Sequence, residues 1–401
     1  MFNADRSYYP MKFTRPTKLV TCFLAIAIFL FAPRPTHACP FCSAPSLTLS
    51  EQMQQADAVL QIAYVSSEKG DTGEAGNTTY KIIKIVKAPE GLLKQGDSLV
   101  LPAYRSASKG ELFLLTGTQT ASIEWAAPLD VSQQAFDYIV NAPGPDASYE
   151  KRLPYFLEYL EHQDEVISND AYGEFANAPY EEIAKVSDKI STEKVRQWVA
   201  DKKTVPTRLG LYGLLLGLAG DATDAKVMLE KINEPTQDFR LGIDGIMSGY
   251  LMIAKSDGLK EMEKSKLKAK DVPFSETYAA MQALRFMWKY ESGTIPKEDL
   301  RAAMRVLLER PELADLVIAD LSRWEDWAVT DRLIAMYDEE DFSIPSIKRA
   351  IIRFLLVCSS ENTVSAGEAP AQATKAAKAL EEIQAKDPKI YRDAKRFFRL
   401  R

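Results

Sequence analysis

The chain has 401 residues, with 50 Lys and Arg against 56 Asp and Glu, a formal net charge of −6 and an apolar fraction of 46%. That apolar fraction fits a folded protein, and the acidic balance excludes nucleic acid as the main partner, because phosphate binding needs concentrated positive charge. Four cysteines and two histidines leave few ligands for a metal site built from those residues.

Residues 1–38 have the layout of a cleavable export signal. Lys12, Arg15 and Lys18 precede an almost unbroken apolar run from Leu19 to Ala32, and Thr36-His37-Ala38 places small residues at −3 and −1 of a cleavage site. The run, about 14 residues, falls short of the roughly 20 that a bilayer span needs, and so does the later Leu209 to Ala219. No transmembrane span is therefore expected in the mature chain. Cleavage after Ala38 predicts an exported protein, periplasmic or extracellular, beginning at Cys39; an uncleaved anchor is one alternative. A lipid anchor on Cys39 is another, since a Cys directly after a small residue is what a bacterial lipoprotein presents, although Thr36 stands where that signal carries Leu. Cleavage removes Arg6, Lys12, Arg15, Lys18, Arg34 and Asp5, leaving a mature charge of about −10.

Cys39-Pro40-Phe41-Cys42 is the one motif with chemistry in it. Two cysteines this close in an exported chain read as a disulfide pinning the N-terminal segment, as a redox pair, or as metal capture by an amino-terminal Cys39. A thioredoxin-like site needs a strand before the pair and a helix after it, and covalent haem attachment needs His where Ser43 stands. No cofactor is expected. The mature chain retains one histidine, His162, and no Gly-x-Ser-x-Gly elbow, so no catalytic triad is read and His162 is assigned to the surface of a charged helix. Cys358, beside Val357 on an apolar helix face, reads as a buried thiol.

Between residues 58 and 125 the pattern is that of strands: 58–64, 78–86, 98–101, 111–116 and 121–125, rich in β-branched and aromatic residues. Turn clusters such as Gly70-Asp71-Thr72-Gly73 and Gln95-Gly96-Asp97 separate them. Five short strands predict a small antiparallel barrel.

The order of these features resembles the netrin-like domain of tissue metalloprotease inhibitors, an OB-type barrel. A Cys pair comes first, then a short helix from Leu49 to Ala56, Ala56-Asp57-Ala58-Val59 opening a strand, a Tyr-Lys-Ile-Ile-Lys-Ile-Val-Lys strand from Tyr80, and Lys109-Gly110-Glu111-Leu112-Phe113-Leu114-Leu115. The resemblance implies the fold for residues 39–145. In that family the first Cys chelates a target enzyme's zinc, and Cys39 holds the matching position. Here the start is Cys-x-x-Cys rather than Cys-x-Cys, and the cysteines that tie the family's N-terminal strand to its barrel are missing, so inhibition does not carry over.

From residue 146 to 401 the signal is helical. Amphipathic segments are read at 149–162, 180–202, 208–220, 221–232, 238–254, 274–290, 297–308, 313–337, 344–357 and 371–386. Segment openings at Arg208, Arg240, Tyr278, Leu313 and Lys348 recur about 32 to 38 residues apart, a period of helical-repeat arrays. Thr207 to Ile232, two helices around Gly220-Asp221, resembles a HEAT repeat, and 347–356 with 376–383 resembles a second, interrupted by a Ser/Gly/Ala/Pro-rich insert at 359–371. The expected fold is thus α+β and multidomain: a small OB-like barrel followed by an all-α HEAT-like solenoid.

Gly210, Gly213, Gly217 and Gly220 punctuate one helix, and close approach of a neighbouring helix is the expected compensation for their low helix propensity. The basic run Lys264 to Lys270 reads as a solvated helix face, and Asp338-Glu339-Glu340-Asp341 as an acidic surface turn. Arg323, Trp324 and Trp327 have the composition of a protein-binding surface, while Trp324 and Trp327 at i, i+3 equally describe a core stripe. The expected function is a non-catalytic exported adaptor with a protein partner; the alternative is thiol-dependent redox or metal-binding activity at Cys39 and Cys42.

Overall fold

The computed structural model describes residues 39–42, 46–71, 76–236, 238–360 and 371–396. The expected export signal and nearly all of the expected insert at 359–371 lie outside the described residues.

The first element, α1 (Leu49–Gln55), starts at a capping box: the Thr48 hydroxyl accepts from the Glu51 amide while the Glu51 carboxylate accepts from the Thr48 amide at 2.9 Å. The strands follow as β1 (Ala58–Glu68), β2 (Asn77–Lys87), β3 (Ser98–Leu101), β4 (Leu112–Gln119), β5 (Ile123–Trp125) and β6 (Leu129–Asp130). They form one antiparallel sheet in the order β3-β2-β1-β4-β5, with β6 also on β4. Alternation along β1 sorts its two faces. Leu60 and Ile62 point to the concave side, where they pack with Tyr80, Ile82, Phe113 and Leu115. Val59 and Gln61 point to the helices, Val59 into their core and Gln61 to Gln133 at 2.9 Å. Three register shifts between β1 and β2 curl the sheet. It closes only halfway, because the end strands have four and three residues and each pairs on one side alone. Where a small antiparallel barrel was expected, the sheet is an open, curled half-barrel.

The helices are α2 (Gln133–Asn141), α3 (Tyr149–Leu157), α4 (Glu165–Asn177), α5 (Tyr180–Lys185) and α6 (Thr192–Ala200), then α7 (Leu209–Ala219), α8 (Ala222–Asn233) and α9 (Ile243–Met262). After these come α10 (Phe274–Lys289), α11 (Lys297–Val306), α12 (Pro311–Arg323), α13 (Thr330–Met336), α14 (Pro345–Ser360), α15 (Ala371–Lys386) and α16 (Pro388–Lys395). Two predicted helices are broken. The segment 180–202 stops at Lys185 and restarts after the Ser191 cap, whose hydroxyl accepts from the Lys194 amide. The segment 313–337 ends at Arg323, where Glu325 adopts φ 55° and the Asp326 amide reaches back to Leu321 O at 2.9 Å, closing a Schellman-type turn.

The glycines do what their spacing predicts. α7 and α9 touch backbone to backbone: a Cβ on Gly213 would lie 2.5 Å from Gly245 C, and one on Gly217 2.5 Å from Gly249 Cα. Contacts advance together along both chains, so the two helices are parallel. Lys255, at φ 53° inside α9, bends it into a second arm, which makes α9 a helix pair like α7 and α8. Further along, Arg285 of α10 binds Asp320 of α12 at 2.6 Å and Trp288 stacks on Trp324 at 4.4 Å, again in parallel register. The body is repeat-like, with α7, α9, α10 and α12 side by side. One hydrophobic core runs from Cys39, Val59 and Leu114 through these helices to Ala394.

Candidate functional site

Three places concentrate functional groups, and the first is the segment before β1. Cys39 and Cys42 form a disulfide with Cα atoms 5.4 Å apart. The loop does not stand free: Cys39 is 5% exposed and its amide donates to Ala176 O at 3.1 Å. Phe41 packs on Phe286 with ring centroids 4.9 Å apart, and the Phe41 carbonyl sits so close to Gly210 that a Cβ there would be 2.6 Å from it. The disulfide loop is thus seated on the helices rather than on the half-barrel. Its sulfurs are joined to each other, and the Cys39 carbonyl accepts from the Cys42 amide at 3.3 Å.

The second place lies where this segment meets α4. Asp170 accepts from the Leu49 amide at 2.7 Å and from the Tyr138 hydroxyl at 2.9 Å. One turn on, Glu174 accepts from the Ser50 hydroxyl at 2.6 Å and pairs with Arg152. Burial pushes the Asp170 carboxyl up to about 6, against the two donors that lower it, with Glu174 and Glu51 adding to the rise. Burial also raises the Tyr138 hydroxyl, and neighbouring Asp170 adds to this. Arg152 Nε is buried and finds no acceptor among the described residues. An acid with a raised pKa beside a tyrosine is the sort of pair that catalysis uses. Here both are buried beneath α1, and the cluster works as a polar clamp between α1, α2, α3 and α4.

The third place is one rim of the body. Parallel packing puts the N-terminal ends of α7, α9 and α10 along one edge, and Arg240, just before α9, reaches Glu276 in the first turn of α10 at 2.8 Å. Exposed apolar side chains sit at those ends: Val205 before α7, Phe239 and Leu241 before α9, and Phe274 opening α10. Phe239 is 69% exposed and Phe274 50%. Ile344, before α14, is exposed in the same position relative to its helix.

The residues singled out from sequence are placed as follows. Trp324 is buried, stacked on Trp288, with Arg301 donating to its carbonyl at 3.1 Å. Trp327 is half-buried against Phe354, and of the three residues only Arg323 extends into solvent, held by Asp320 at 3.0 Å. The pair of tryptophans therefore follows the core-stripe description. His162 is half-buried, its Nδ1 accepting from the Asp164 amide and its Nε2 3.0 Å from Gln134 Nε2. Cys358 is buried, 3.8 Å from Thr330 Oγ1. The basic run is corrected at one position. Lys264, Lys268 and Lys270 are exposed, but Lys266 is buried and binds Glu276 at 2.9 Å. Burial alone would raise the Glu276 carboxyl; Arg240 and Lys266 together hold it below its ordinary range. Among the described residues no three His, Cys, Asp or Glu side chains are placed to share a metal ion, and no helix is long and apolar enough to cross a membrane. Sequence reasoning missed Asp170 and Glu174, because the helix that carries them was not read as one.

Compared with family models, with curated proteins and with solved structures, the chain returns no match.

Proposed function

We propose that this is an exported, non-catalytic adaptor that binds a protein partner along the rim formed by Val205, Phe239, Leu241 and Phe274. The observation that carries this reading is the row of large apolar side chains left in water at successive helix starts, when the interior of the same helices is filled with apolar side chains. Side-by-side parallel helices supply an extended, regular edge, the geometry that helical-repeat proteins use for binding. HEAT-like units give the simplest description of the body: each is a pair of helices whose apolar faces are covered by the next pair. The half-barrel serves as an OB-like head. A disulfide at Cys39 and Cys42 fits an oxidising compartment and with it export to the periplasm or the extracellular space.

The thiol-based reading has less support, since Cys39 is buried and both sulfurs are engaged. The test is cross-linking in the native compartment followed by recovery of the protein with its partner. Phe239→Ser with Phe274→Ser, both exposed and so tolerated by the fold, should abolish recovery of the partner, whereas Cys39→Ser with Cys42→Ser should retain it. The reverse pattern would overturn the rim and favour the thiols.

A further inference from the structure

Of the carboxylates buried among the described residues, Glu174, Asp224, Glu276, Asp320 and Asp326 each bind an arginine. Asp170 alone binds no cation. Its two oxygens accept from neutral donors, the Leu49 amide at 2.7 Å and the Tyr138 hydroxyl at 2.9 Å. The charged and titratable groups around it come from every helix packed there: Glu51 from α1, Tyr138 from α2, Arg152 and Tyr155 from α3, and Glu174 from its own α4. The one cation among them, Arg152, is engaged by Glu174 and by Pro145 O at 3.2 Å. A buried carboxylate with neutral donors and two acidic neighbours holds its proton more tightly than one in water, which is why Asp170 titrates at about 6.

What Asp170 holds is the first turn of α1. That helix has seven residues, too few to be stable alone, and it packs on the core through Leu49 and the half-buried Met53, while Gln52, Gln54 and Gln55 are exposed. Polar contacts at its two ends therefore matter for its position. At the N-terminal end the Leu49 amide and the Ser50 hydroxyl donate to Asp170 and Glu174 of α4. At the other end Lys87 of β2 donates to Gln54 O at 3.2 Å and to Ala56 O, and the chain runs on into β1. Helix α1 is thus a bridge between the sheet and the helices. Segments that bury little apolar surface open locally at low cost. Lifting the first turn returns Asp170 to water and its proton to ordinary affinity. The closed state, which holds the proton more tightly, is then fully favoured below about pH 4 and loses that advantage as pH rises through about 6.

We propose that the first turn of α1 is a pH-gated latch between the half-barrel and the helical body, closed in acid and opening locally when Asp170 must ionise in its cation-free seat. This inference stands independently of the apolar rim. It is tested by amide hydrogen exchange on the full chain, read by mass spectrometry on fragments covering α1 and corrected for the intrinsic pH dependence of exchange. Protection of the α1 amides should fall about 50-fold between about pH 4 and pH 8. The opening is local, so exchange at these amides should not change in about 1 M urea at pH 8, whereas amides of α7 that exchange by global unfolding should respond to it. In Asp170→Asn, which keeps an acceptor for the Leu49 amide and cannot ionise, protection of α1 should be independent of pH. The pH and urea profiles are read on the natural protein, so they decide the matter even where the variant is unstable. Constant protection of α1 across the pH range would overturn the proposal. So would exchange of α1 only through the urea-sensitive global opening, or the same fall with pH in Asp170→Asn, which would assign the titration to another group.

Discussion

Glu325 holds a left-handed backbone (φ 55°) at the end of α12, in a position that glycine ordinarily fills, and its side chain is exposed. The cost of that conformation should be recovered by Glu325→Gly, giving a rise of about 0.5–1 kcal/mol in unfolding free energy by urea titration. A loss of stability would mean that the carboxylate has a role in the turn. Asp170 makes a different kind of expectation. Its pKa in the folded protein, about 6, lies above its ordinary value, so the native state holds the proton more tightly than the unfolded chain does. The stability this contributes is complete below about pH 4 and is lost as pH rises through 6, a change of order 3 kcal/mol. Asp170→Asn removes that titration. The stability of the natural protein relative to this variant should therefore fall between pH 4 and pH 7; a difference that stays flat would contradict the burial argument.

Among the elements, the contact of α7 with α9 is the most demanding. Replacing helical glycine by alanine ordinarily stabilises a helix by about 1 kcal/mol, but at Gly213 the added methyl would meet the Gly245 backbone. Gly213→Ala should destabilise by about 1–3 kcal/mol through overpacking. Gly173 of α4 is the internal control: a Cβ there meets only Thr48 Cγ2 at 3.7 Å, and Gly173→Ala should be neutral or stabilising. The disulfide strap permits a second measurement. Cys39→Ser with Cys42→Ser releases a very short loop, so a loss of about 2 kcal/mol or less is expected in thermal unfolding. A collapse of the whole fold would show that the disulfide loop holds more than its own contacts with Phe286 and Gly210.

These elements also mark what the amino-acid sequence discloses. The strands were legible because β-branched runs alternate between turn clusters, and the tight helix pair because glycine at 210, 213 and 217 has few other uses. Helix α4 was not legible: Asp170 and Glu174 occupy its inward face, where a periodicity argument looks for apolar residues, and Asn169, Gly173 and Asn177 lower its propensity. A small barrel was expected from strand number, yet how far a sheet closes depends on its end strands, and β3 and β5 have only four and three residues. The Trp324 assignment depended on its neighbour. Only the parallel register that brings Trp288 alongside distinguishes a core ring from an exposed one.

On the scale of the whole molecule, the buried charge pairs and the exposed apolar rim are opposite solutions to the same constraint. Carboxylates buried at Asp224, Glu276, Asp320 and Asp326 are each matched by arginine, so these helices stay in register with those four charges paired. At the rim, by contrast, Phe239 and Phe274 stay in water where a polar residue would serve the fold as well. That is the reason to read the rim as a surface awaiting a partner. The most direct measurement is the cross-linking recovery with Phe239→Ser and Phe274→Ser compared with the natural protein, after urea titration has shown the variant's stability unchanged within about 0.5 kcal/mol. The expected result is loss of a partner that the natural protein captures. Capture of the same partner at the same yield would contradict the rim as the binding site.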